Sequence, residues 1–339
     1  MSEALFATLQ QLLGAPHVQT SEEAAPYLID KQGRYTGQVI AAVHPANTDE
    51  VAAVVRACVA LSAPIVVQGG NTGLMAGATP DASGRSVLLL LDRMDRVRTV
   101  DTDNDTLTVE AGCILQNIQD VARDADRLFP LSLGAEGSCT IGGNLGTNAG
   151  GTAVLRYGNT RELTLGLEVV TAEGEIWHGL RGLRKDNTGY DLRDLYIGSE
   201  GTLGIITAAT LKLFPLPKAQ ATALLAFDEL AQAVAFLSHA RAGFGANLTA
   251  FELLTADCLA LLREQFPDGP QPFKTASQPW FALIELSDNH GESHAREAFE
   301  RVLGDAFEQQ LLSDALIAES LAQSEALWLL RENMSEAQK

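Results

Sequence analysis

The chain has 339 residues, 46% of them hydrophobic and 20% charged, which is the composition of a globular protein long enough for two domains. Its 43 acidic and 24 basic residues give a formal net charge of −19, which argues against nucleic acid as a partner because phosphate binding needs clustered Lys and Arg. The longest strongly apolar run, 87–91, is far shorter than the about 20 residues that a transmembrane helix needs.

The cysteines and the first residues of the chain bear on its location. The four cysteines are scattered and form no Cys-x-x-Cys pair, so neither a structural zinc site nor a disulfide framework is predicted. The opening sequence Met-Ser-Glu-Ala-Leu-Phe carries an acidic residue where a secretion signal has basic ones. Together these observations predict a cytoplasmic protein with reduced thiols.

Hydrophobic periodicity and turn residues predict short elements along the first two thirds of the chain. Asn47 lies three residues before Glu50, and this capping-box spacing predicts the start of a helix over 51–61. The other predicted elements here are helices at 5–13 and 114–127, strands at 39–43, 65–67, 87–91, 97–100, 106–110 and 203–214, and a hairpin of 165–171 with 175–178.

A domain boundary is predicted at Pro215-Leu-Pro217, which gives domains at 1–216 and 217–339. Beyond it, predicted strands alternate with predicted helices, which indicates an α+β layer with helices on one face of a mainly antiparallel sheet. A last helix is predicted from about Asp314. Because it has no stop signal before Lys339, we expect the second domain to be incomplete.

The segment from Gln68 to Pro80 follows a predicted strand and contains four glycines. Such glycines let the backbone approach a ligand closely, and successive N–H groups of the loop form an anion site suited to a pyrophosphate. Asn71 and Thr72 add side-chain donors. The segment is neither a P-loop nor a Gly-x-Gly-x-x-Gly dinucleotide motif. The alternative, a mobile surface loop, is usually polar, whereas this one carries Leu74 and Met75.

Two later segments are also rich in small residues. The stretch from Pro130 to Gly151 holds seven glycines and two asparagines, and a loop of this length without structure of its own is usually functional or disordered. Its interspersed apolar residues argue against disorder. The stretch 187–206 again combines small and polar residues ahead of a strand. A wall of this kind suits a flat, amphipathic ring system with polar edge atoms.

Three motifs inside these segments resemble a known family. They are Gln68-Gly-Gly-Asn-Thr-Gly73, Thr140-Ile-Gly-Gly-Asn-Leu-Gly-Thr-Asn-Ala-Gly-Gly151 and Gly198-Ser-Glu-Gly-Thr-Leu-Gly-Ile-Ile206. In this order they resemble the FAD domain of the vanillyl-alcohol oxidase / p-cresol methylhydroxylase (PCMH) superfamily, and within it the D-2-hydroxy-acid dehydrogenases. The resemblance implies a PCMH-type FAD-binding domain of two subdomains, followed by an α+β cap domain.

The resemblance also implies which residues contact FAD. Those expected at the pyrophosphate are Gly69, Gly70, Asn71, Thr72, Gly73 and Gly77. Those expected along the flavin and its ribityl chain are Pro130, Gly134, Gly137, Ser138, Gly143, Asn144, Asn148, Ala149 and Gly150. Those expected near the adenine are Glu200, Gly204 and Ile206. Covalently flavinylated members carry a histidine where this chain has Asn71, so non-covalent FAD is expected.

In the cap domain, the run from Trp328 to Ser335 resembles the family stretch whose arginine binds the substrate carboxylate. Arg331 is the candidate, because a planar guanidinium binds a carboxylate in bidentate fashion, and Ser335 one helical turn later would add a hydroxyl contact. Relatives carry the ligands of a divalent metal, expected to be zinc, and a histidine base nearer the C-terminus. We therefore expect the catalytic base and the metal ligands to lie beyond Lys339.

His290 and His294 have the i, i+4 spacing of a helical metal site. Their polar surroundings fit a solvated helix start better, so no metal ligand is predicted in this chain.

The leading hypothesis is an FAD-dependent dehydrogenase that oxidises a D-2-hydroxy acid, of the D-2-hydroxyglutarate or D-lactate type, and passes electrons to a carrier protein, cytochrome or quinone. The resemblance also allows a homodimer. One alternative is a non-catalytic FAD-binding fragment or subunit that lacks the metal and base residues. Another is a UDP-N-acetyl-enolpyruvoylglucosamine reductase, which shares the FAD fold but uses NADPH.

Overall fold

The computed structural model describes residues 2–273 and 277–338 and divides the chain into two units with separate sheets and cores. The first unit contains Met1–Pro130, Ala135–Ala149 and Asn159–Pro215. The second unit contains Leu131–Gly134, Gly150–Gly158 and Leu216–Lys339. Two short segments that precede residue 159 therefore belong with the C-terminal part of the chain, which the sequence pattern does not indicate.

One half of the first unit is a small mixed sheet. Its strands are β1 (Val18–Gln19), β2 (Ala41–Val43), β3 (Ile65–Gln68) and β4 (Val87–Leu90), hydrogen-bonded in the order β1-β2-β4-β3. β2 and β3 both run parallel to β4, so the chain must cross over between them, and helix α2 (Thr48–Ala60) makes this connection. Helix α1 (Ser2–Leu13) and α2 share one apolar core with the sheet.

The start of α2 follows the predicted capping pattern with one difference. Asn47 accepts a hydrogen bond from the backbone N–H of Glu50 at 2.9 Å. The Glu50 carboxylate accepts the backbone N–H of Ala46 at 2.8 Å, one residue before the position that a capping box uses. Both bonds satisfy donors that would otherwise be left at the helix entrance.

The other half of the first unit is an antiparallel sheet. Its strands are β5 (Val97–Asp101), β6 (Thr106–Glu110), β8 (Thr164–Thr171), β9 (Ile176–Gly179) and β10 (Gly204–Lys212), in the order β5-β6-β10-β8-β9. The predicted hairpin is confirmed as β8 and β9. The remaining elements are α3 (Leu115–Asp124), β7 (Arg127–Leu128) paired with β11 (Phe214–Pro215), α4 (Ile141–Gly146), α6 (Arg193–Tyr196) and 3-10 turns at Ala15–His17 and Ala25–Tyr27.

Two predictions in this unit need correction. The helix predicted over 114–127 ends at Asp124, because Asp126 turns to a positive φ of 55° and Arg127 continues as strand β7. The second glycine-rich segment is not one long loop, since its centre forms helix α4. Glycine lowers helix propensity, and tertiary packing overrides it there: a Cβ on Gly142 would come within 2.8 Å of the Ala111 side chain.

The second unit is one antiparallel sheet with helices. Its strands are β12 (Ala219–Phe227), β13 (Leu248–Thr255), β14 (Trp280–Asp288) and β15 (Asp314–Ile317), in the order β13-β14-β12-β15. Its helices are α5 (Val154–Tyr157), α7 (Leu230–Phe244), α8 (Ala256–Gln265), α9 (Glu292–Glu308), α10 (Leu321–Glu332) and α11 (Met334–Ala337), with a 3-10 turn at Gly245–Asn247.

Helices cover both faces of this sheet, whereas the sequence pattern predicts them on one face. Successive strand residues point to opposite sides. On β12, Leu225 packs into the core formed with α7 and α9, while Leu224 packs into the core formed with α8, α10 and α11. The α+β class and the mainly antiparallel sheet are confirmed.

The segment from Asp314 is a strand rather than the start of the last helix. β15 pairs antiparallel with β12, with Ile317 opposite Ala223. The helix begins only after Ser320, whose hydroxyl caps it by accepting the N–H of Gln323 at 3.3 Å. In the described ranges, no helix is both long and apolar enough to cross a bilayer.

Candidate cofactor site

A cavity of about 500 Å³ opens in the first unit beyond the carboxyl end of β3. This volume falls within the ~300–1,000 Å³ of typical ligand pockets, and the edge beyond parallel strands is a common ligand position. Most of its wall comes from three stretches, 69–78, 139–147 and 200–206. The three glycine-rich motifs of the sequence therefore meet around one cavity.

The first loop contributes unused backbone donors to this wall. Within the described part of the chain, the N–H groups of Gly70, Asn71, Thr72 and Gly73 donate no hydrogen bond to protein atoms. All four residues line the cavity. Consecutive free N–H groups are the chemistry of an anion site, so the loop is suited to a phosphate or pyrophosphate group.

Gln68 closes this loop. The residue is 1% exposed, and its amide nitrogen donates to the carbonyl oxygens of Tyr27 and Ala78, both at 2.9 Å. The Asn71 amide also holds the loop, because it donates to the carbonyl of Ile29 at 2.8 Å. An amide group has two N–H donors, so one is left after this bond, and a contact between the Asn71 side chain and phosphate stays a prediction.

The Thr140 hydroxyl is a buried polar group that a ligand could hydrogen-bond. The residue is 7% exposed and lines the cavity, and its hydroxyl has no hydrogen-bond partner among the described residues. A buried unpaired polar group costs about 1–3 kcal/mol, which a ligand atom would recover. A Cβ on Gly69 would come within 2.3 Å of the same hydroxyl, so only glycine leaves it accessible there. These residues fit a cofactor with phosphates and polar ring atoms, as FAD has.

Asn144 and Cys139 form another part of the wall. Asn144 is 4% exposed, and among the described residues the Cys139 sulfur, at 3.6 Å, is the one partner of its side-chain amide nitrogen. A thiol is a weak acceptor, so this amide remains able to bond a carbonyl or ring nitrogen of a ligand. Burial raises the pKa of the Cys139 thiol, so this part of the wall is uncharged at neutral pH.

Glu200 brings a negative charge to the part of the wall beside Gly77. Its backbone takes a positive φ of 51° and its N–H donates to the Gly146 carbonyl at 2.9 Å. Its carboxylate lies at Gly77, where an added Cβ would come within 2.9 Å of the oxygen. A carboxylate repels phosphate and accepts from hydroxyl and amino groups, so this part of the cavity suits ribose or adenine.

Most predicted cofactor residues line the cavity. They are Gly69, Gly70, Asn71, Thr72, Gly73, Gly77, Gly143, Asn144, Glu200, Gly204 and Ile206. The other predicted ones, all within the described ranges, are not part of the lining: Pro130, Gly134, Gly137, Ser138, Asn148, Ala149 and Gly150.

Two of the predicted residues outside the lining make hydrogen bonds to the segment that follows the second motif. The Asn148 side chain accepts the N–H of Arg161 at 3.0 Å, and the Ala149 carbonyl accepts the N–H of Thr160 at 2.9 Å. Gly150, like Gly134, belongs to the second unit.

Some lining residues are absent from the sequence prediction. They are Val67, Leu74, Met75, Ala78, Leu91, Cys139, Thr140, Gly142, Gly146, Thr147 and Gly201. Thr140 could have been included in the prediction, because it opens the second of the three motifs that resemble the family. Leu91 had none, since it reads as an ordinary core residue after a buried strand.

In the second unit, Arg331 and Ser335 lie on different helices. Arg331 is near the end of α10, while Ser335 is in the short α11 after a break at Asn333. The sequence predicts that the two residues lie one turn apart on a continuous helix, but the break at Asn333 separates them. The Arg331 guanidinium donates from Nε to the Glu252 carboxylate on β13 at 3.2 Å, and about a third of its side chain is exposed. Ser335 is exposed.

The pair His290 and His294 does not share a helix either. α9 begins at Glu292, and the rings of the two histidines are 4.8 Å apart. His294 Nδ1 lies 2.6 Å from the buried carboxylate of Asp288, which also accepts the N–H groups of His290 and Gly291. These contacts describe a helix start closed by Asp288. Across residues 2–273 and 277–338, no three His, Cys, Asp or Glu side chains are grouped to hold a metal ion.

Comparison with known proteins matches both parts of the chain. Residues 39–179 match the FAD binding domain family, and residues 216–339 match the C-terminal domain of FAD linked oxidases. A D-2-hydroxyglutarate dehydrogenase from Xanthomonas citri pv. viticola is 38% identical over 344 residues, which cover 99% of this chain and 70% of that protein. This chain belongs to the FAD-linked oxidases. Within them it falls in the D-2-hydroxy-acid dehydrogenase branch, as the motifs predict.

A second relative is similar to this chain in sequence, and a solved structure is similar to it in fold. A probable mitochondrial D-2-hydroxyglutarate dehydrogenase from Oryza sativa subsp. indica is 38% identical over 321 residues, covering 94% of this chain and 57% of that protein. The chain thus spans less than two thirds of this relative's length. The structure of p-cresol methylhydroxylase with substrate bound superposes with a TM-score of 0.78 at 18% identity, covering 98% of this chain and 71% of that one. The PCMH-type fold is confirmed.

The expectation of a cytoplasmic protein is wrong. The rice relative and those from Danio rerio and Bos taurus are named as mitochondrial D-2-hydroxyglutarate dehydrogenases, which points away from the cytoplasm. The scattered cysteines indicate only that the thiols are not paired. They do not identify a compartment.

Proposed function

We propose that this chain binds FAD without a covalent bond and oxidises a D-2-hydroxy acid to the 2-oxo acid. The observation that carries the proposal is the cavity in which four free N–H groups and the unpaired Thr140 hydroxyl lie together. Membership of the FAD-linked oxidases supports FAD as its occupant.

We assign the ends of FAD by charge. The pyrophosphate would accept the N–H groups of 70–73, and Glu200 would bond hydroxyl or amino groups at the ribose and adenine end, because its charge opposes phosphate. Asn144 would donate to the ring system. Asn71 stands where covalently flavinylated relatives have histidine, and its amide is held by Ile29, which supports non-covalent binding.

For the substrate, the proposal assigns Arg331 to the carboxylate and Ser335 to an additional hydroxyl contact. An exposed Nη edge of a guanidinium suits a carboxylate. FAD, when bound, would supply the acceptor for the hydride from C2, while the proton of the C2 hydroxyl would go to a base or to solvent, and the electrons would pass on to a carrier protein, cytochrome or quinone. The described residues do not fit the zinc site that the family resemblance implies, so no step is assigned to a metal here.

The proposed domain limits are 1–216 for FAD binding and 217–339 for substrate binding. D-2-hydroxyglutarate is the proposed substrate, with D-lactate as the second candidate, because the relatives quoted above act on the former by name.

The test separates binding from turnover. FAD is titrated into the full chain and followed by calorimetry, and the loaded protein is then mixed without oxygen with D-2-hydroxyglutarate, D-lactate and their L-enantiomers. Loss of the flavin absorption band with a D-acid, but not with its L-enantiomer, supports the dehydrogenase. FAD binding without bleaching by any of the acids would leave a non-catalytic FAD-binding chain, and bleaching by NADPH would favour a reductase.

A further inference from the structure

Helix α10 is attached to the sheet beneath it by three polar side chains on one face. They occur at spacings of i, i+4 and i+7, which lie on the same side of a helix. The contacts are Ser324 with Thr222 of β12 at 2.6 Å, Trp328 with Glu285 of β14 at 2.8 Å, and Arg331 with Glu252 of β13 at 3.2 Å.

These three contacts cross three neighbouring strands, since the sheet order is β13-β14-β12. Apolar packing by Leu327 and Leu330 holds α10 against the sheet but is not directional. A rotation by one residue, about 100°, would break all three polar contacts at once. They therefore set the rotation and the axial position of the helix that carries Arg331.

The Arg331–Glu252 contact also sets the direction of the guanidinium. Glu252 accepts from Nε, and within the part of the chain that the structure describes it is the guanidinium's one hydrogen-bond partner. The Nη1 and Nη2 groups are thus left for another acceptor. Both side chains are partly exposed, at 33% and 28%, so such an acceptor can reach the pair.

We propose that Glu252 is a positioning residue for substrate binding. It holds the Nε side of Arg331 so that the Nη edge meets the carboxylate of a D-2-hydroxy acid. The inference rests on the proposed function, because it takes Arg331 as the group that binds the carboxylate. Without Glu252 the long side chain would have to be ordered by the substrate itself, which weakens binding by about three- to tenfold.

The test uses substrate binding, not turnover. The affinity of the FAD-loaded full chain for D-2-hydroxyglutarate and for D-lactate is measured by calorimetry for the wild type, Glu252→Gln and Glu252→Ala. The Gln side chain keeps an oxygen that accepts from Nε but carries no charge. We expect Glu252→Gln to bind within about twofold of the wild type and Glu252→Ala to bind three- to tenfold more weakly.

The matched control is Glu300, whose carboxylate accepts from Arg296 Nε at 2.9 Å on the exposed side of α9. Glu300→Ala should leave the affinity unchanged. FAD affinity and melting temperature are measured for every variant, because a merely structural role for Glu252 would change these and not the substrate affinity alone. If Glu252→Ala does not fold, Glu252→Asp replaces it: the shorter side chain should displace the guanidinium and weaken binding.

The outcomes separate the two proposals. Equal affinities for Glu252→Gln, Glu252→Ala and the wild type would overturn the positioning role, as would tighter binding by both variants, which would mean that Glu252 only neutralises charge. Unchanged binding by Glu252→Asp would overturn it too. If the wild type binds neither acid, the proposed function fails, and the inference fails with it.

Discussion

The backbone of Gly70 lies directly against the carbonyl oxygen of Ser138: an added Cβ would stand 1.9 Å from that oxygen and 2.9 Å from the Cα of Cys139. The two residues are 68 positions apart, in the first and second glycine-rich segments. This contact therefore brings two walls of the cofactor cavity together. Ser138 thus contributes its backbone to this contact, although the residue is not part of the cavity lining.

Replacing Gly70 by Ala should separate these two walls. The neighbour is backbone and cannot move aside like a flexible side chain, so we expect a loss of roughly 2–4 kcal/mol in the free energy of unfolding, together with weaker FAD binding. Gly73→Ala is the control, since nothing lies within 4 Å of its Cβ position. Urea unfolding of both apoproteins measures the difference. Equal stabilities would mean that the two segments are not locked at Gly70.

Thr140→Val should have opposite effects on the two forms of the protein. In the apoprotein the substitution removes an unpaired buried hydroxyl, so stability should stay the same or rise. In the holoprotein it removes a partner of the cofactor, so FAD affinity should fall about tenfold, which is 1.4 kcal/mol. Thermal melting and FAD titration give the two values, and Thr140→Ser should restore the affinity. A destabilised apoprotein with unchanged FAD affinity would show that the hydroxyl has a structural partner.

The Glu110 carboxyl should make the stability of the first unit depend on pH in the acid range. Burial by itself would raise the pKa of this carboxyl, but hydrogen bonds from Arg96 and the charges of Arg96 and Arg98 outweigh burial, and the pKa is lowered. A carboxyl whose pKa is lowered by folding stabilises the fold above its unfolded pKa of about 4.3. That stability is lost as the pH falls through the folded value.

We therefore expect Glu110→Gln to be less stable than the wild type at pH 7 by roughly 1–3 kcal/mol, with a shallower loss of stability between about pH 5 and pH 3. Urea unfolding at a series of pH values measures both quantities. Asp124→Asn, at an exposed position of α3, should change stability by less than about 0.5 kcal/mol. An acid slope as steep in Glu110→Gln as in the wild type would contradict the prediction.

The Glu285 carboxyl should have the opposite effect in the second unit, where its contribution to stability is lost as the pH rises. Burial raises the pKa of its carboxyl, and the hydrogen bond from Trp328 only partly offsets this. The stability that this group contributes is full below its unfolded pKa and is lost as the pH rises through the folded value. Glu285→Gln stays neutral and keeps an acceptor for Trp328. It should match the wild type near pH 4 and exceed it at pH 8, by roughly 1 kcal/mol, in melting experiments. Lower stability of the variant at pH 8 would refute this.

Much of the fold could be predicted from local pattern. The strand at 106–110 and the hairpin of β8 and β9 follow the predicted limits closely, because alternation and turn residues act within a few positions. β15 could not be predicted in this way. Its conformation depends on pairing with β12, about ninety residues earlier, and the pattern around Asp314 is compatible with a helix when the partner is unknown.

In the candidate site, too, some features could be predicted from the sequence and others could not. Glycines mark where the backbone approaches a ligand, so the sequence by itself determined the three segments that surround the cavity. The cofactor class followed from the resemblance of the motifs in these segments to a known family. Only the tertiary structure decided that the Asn71 amide holds the loop, that the Thr140 hydroxyl has no partner among the described residues, and that Arg331 donates to Glu252, 79 positions away. The physical reason is that hydrogen-bond partners distant in sequence leave no periodic trace. Their pairing exists only once the strands and helices have packed.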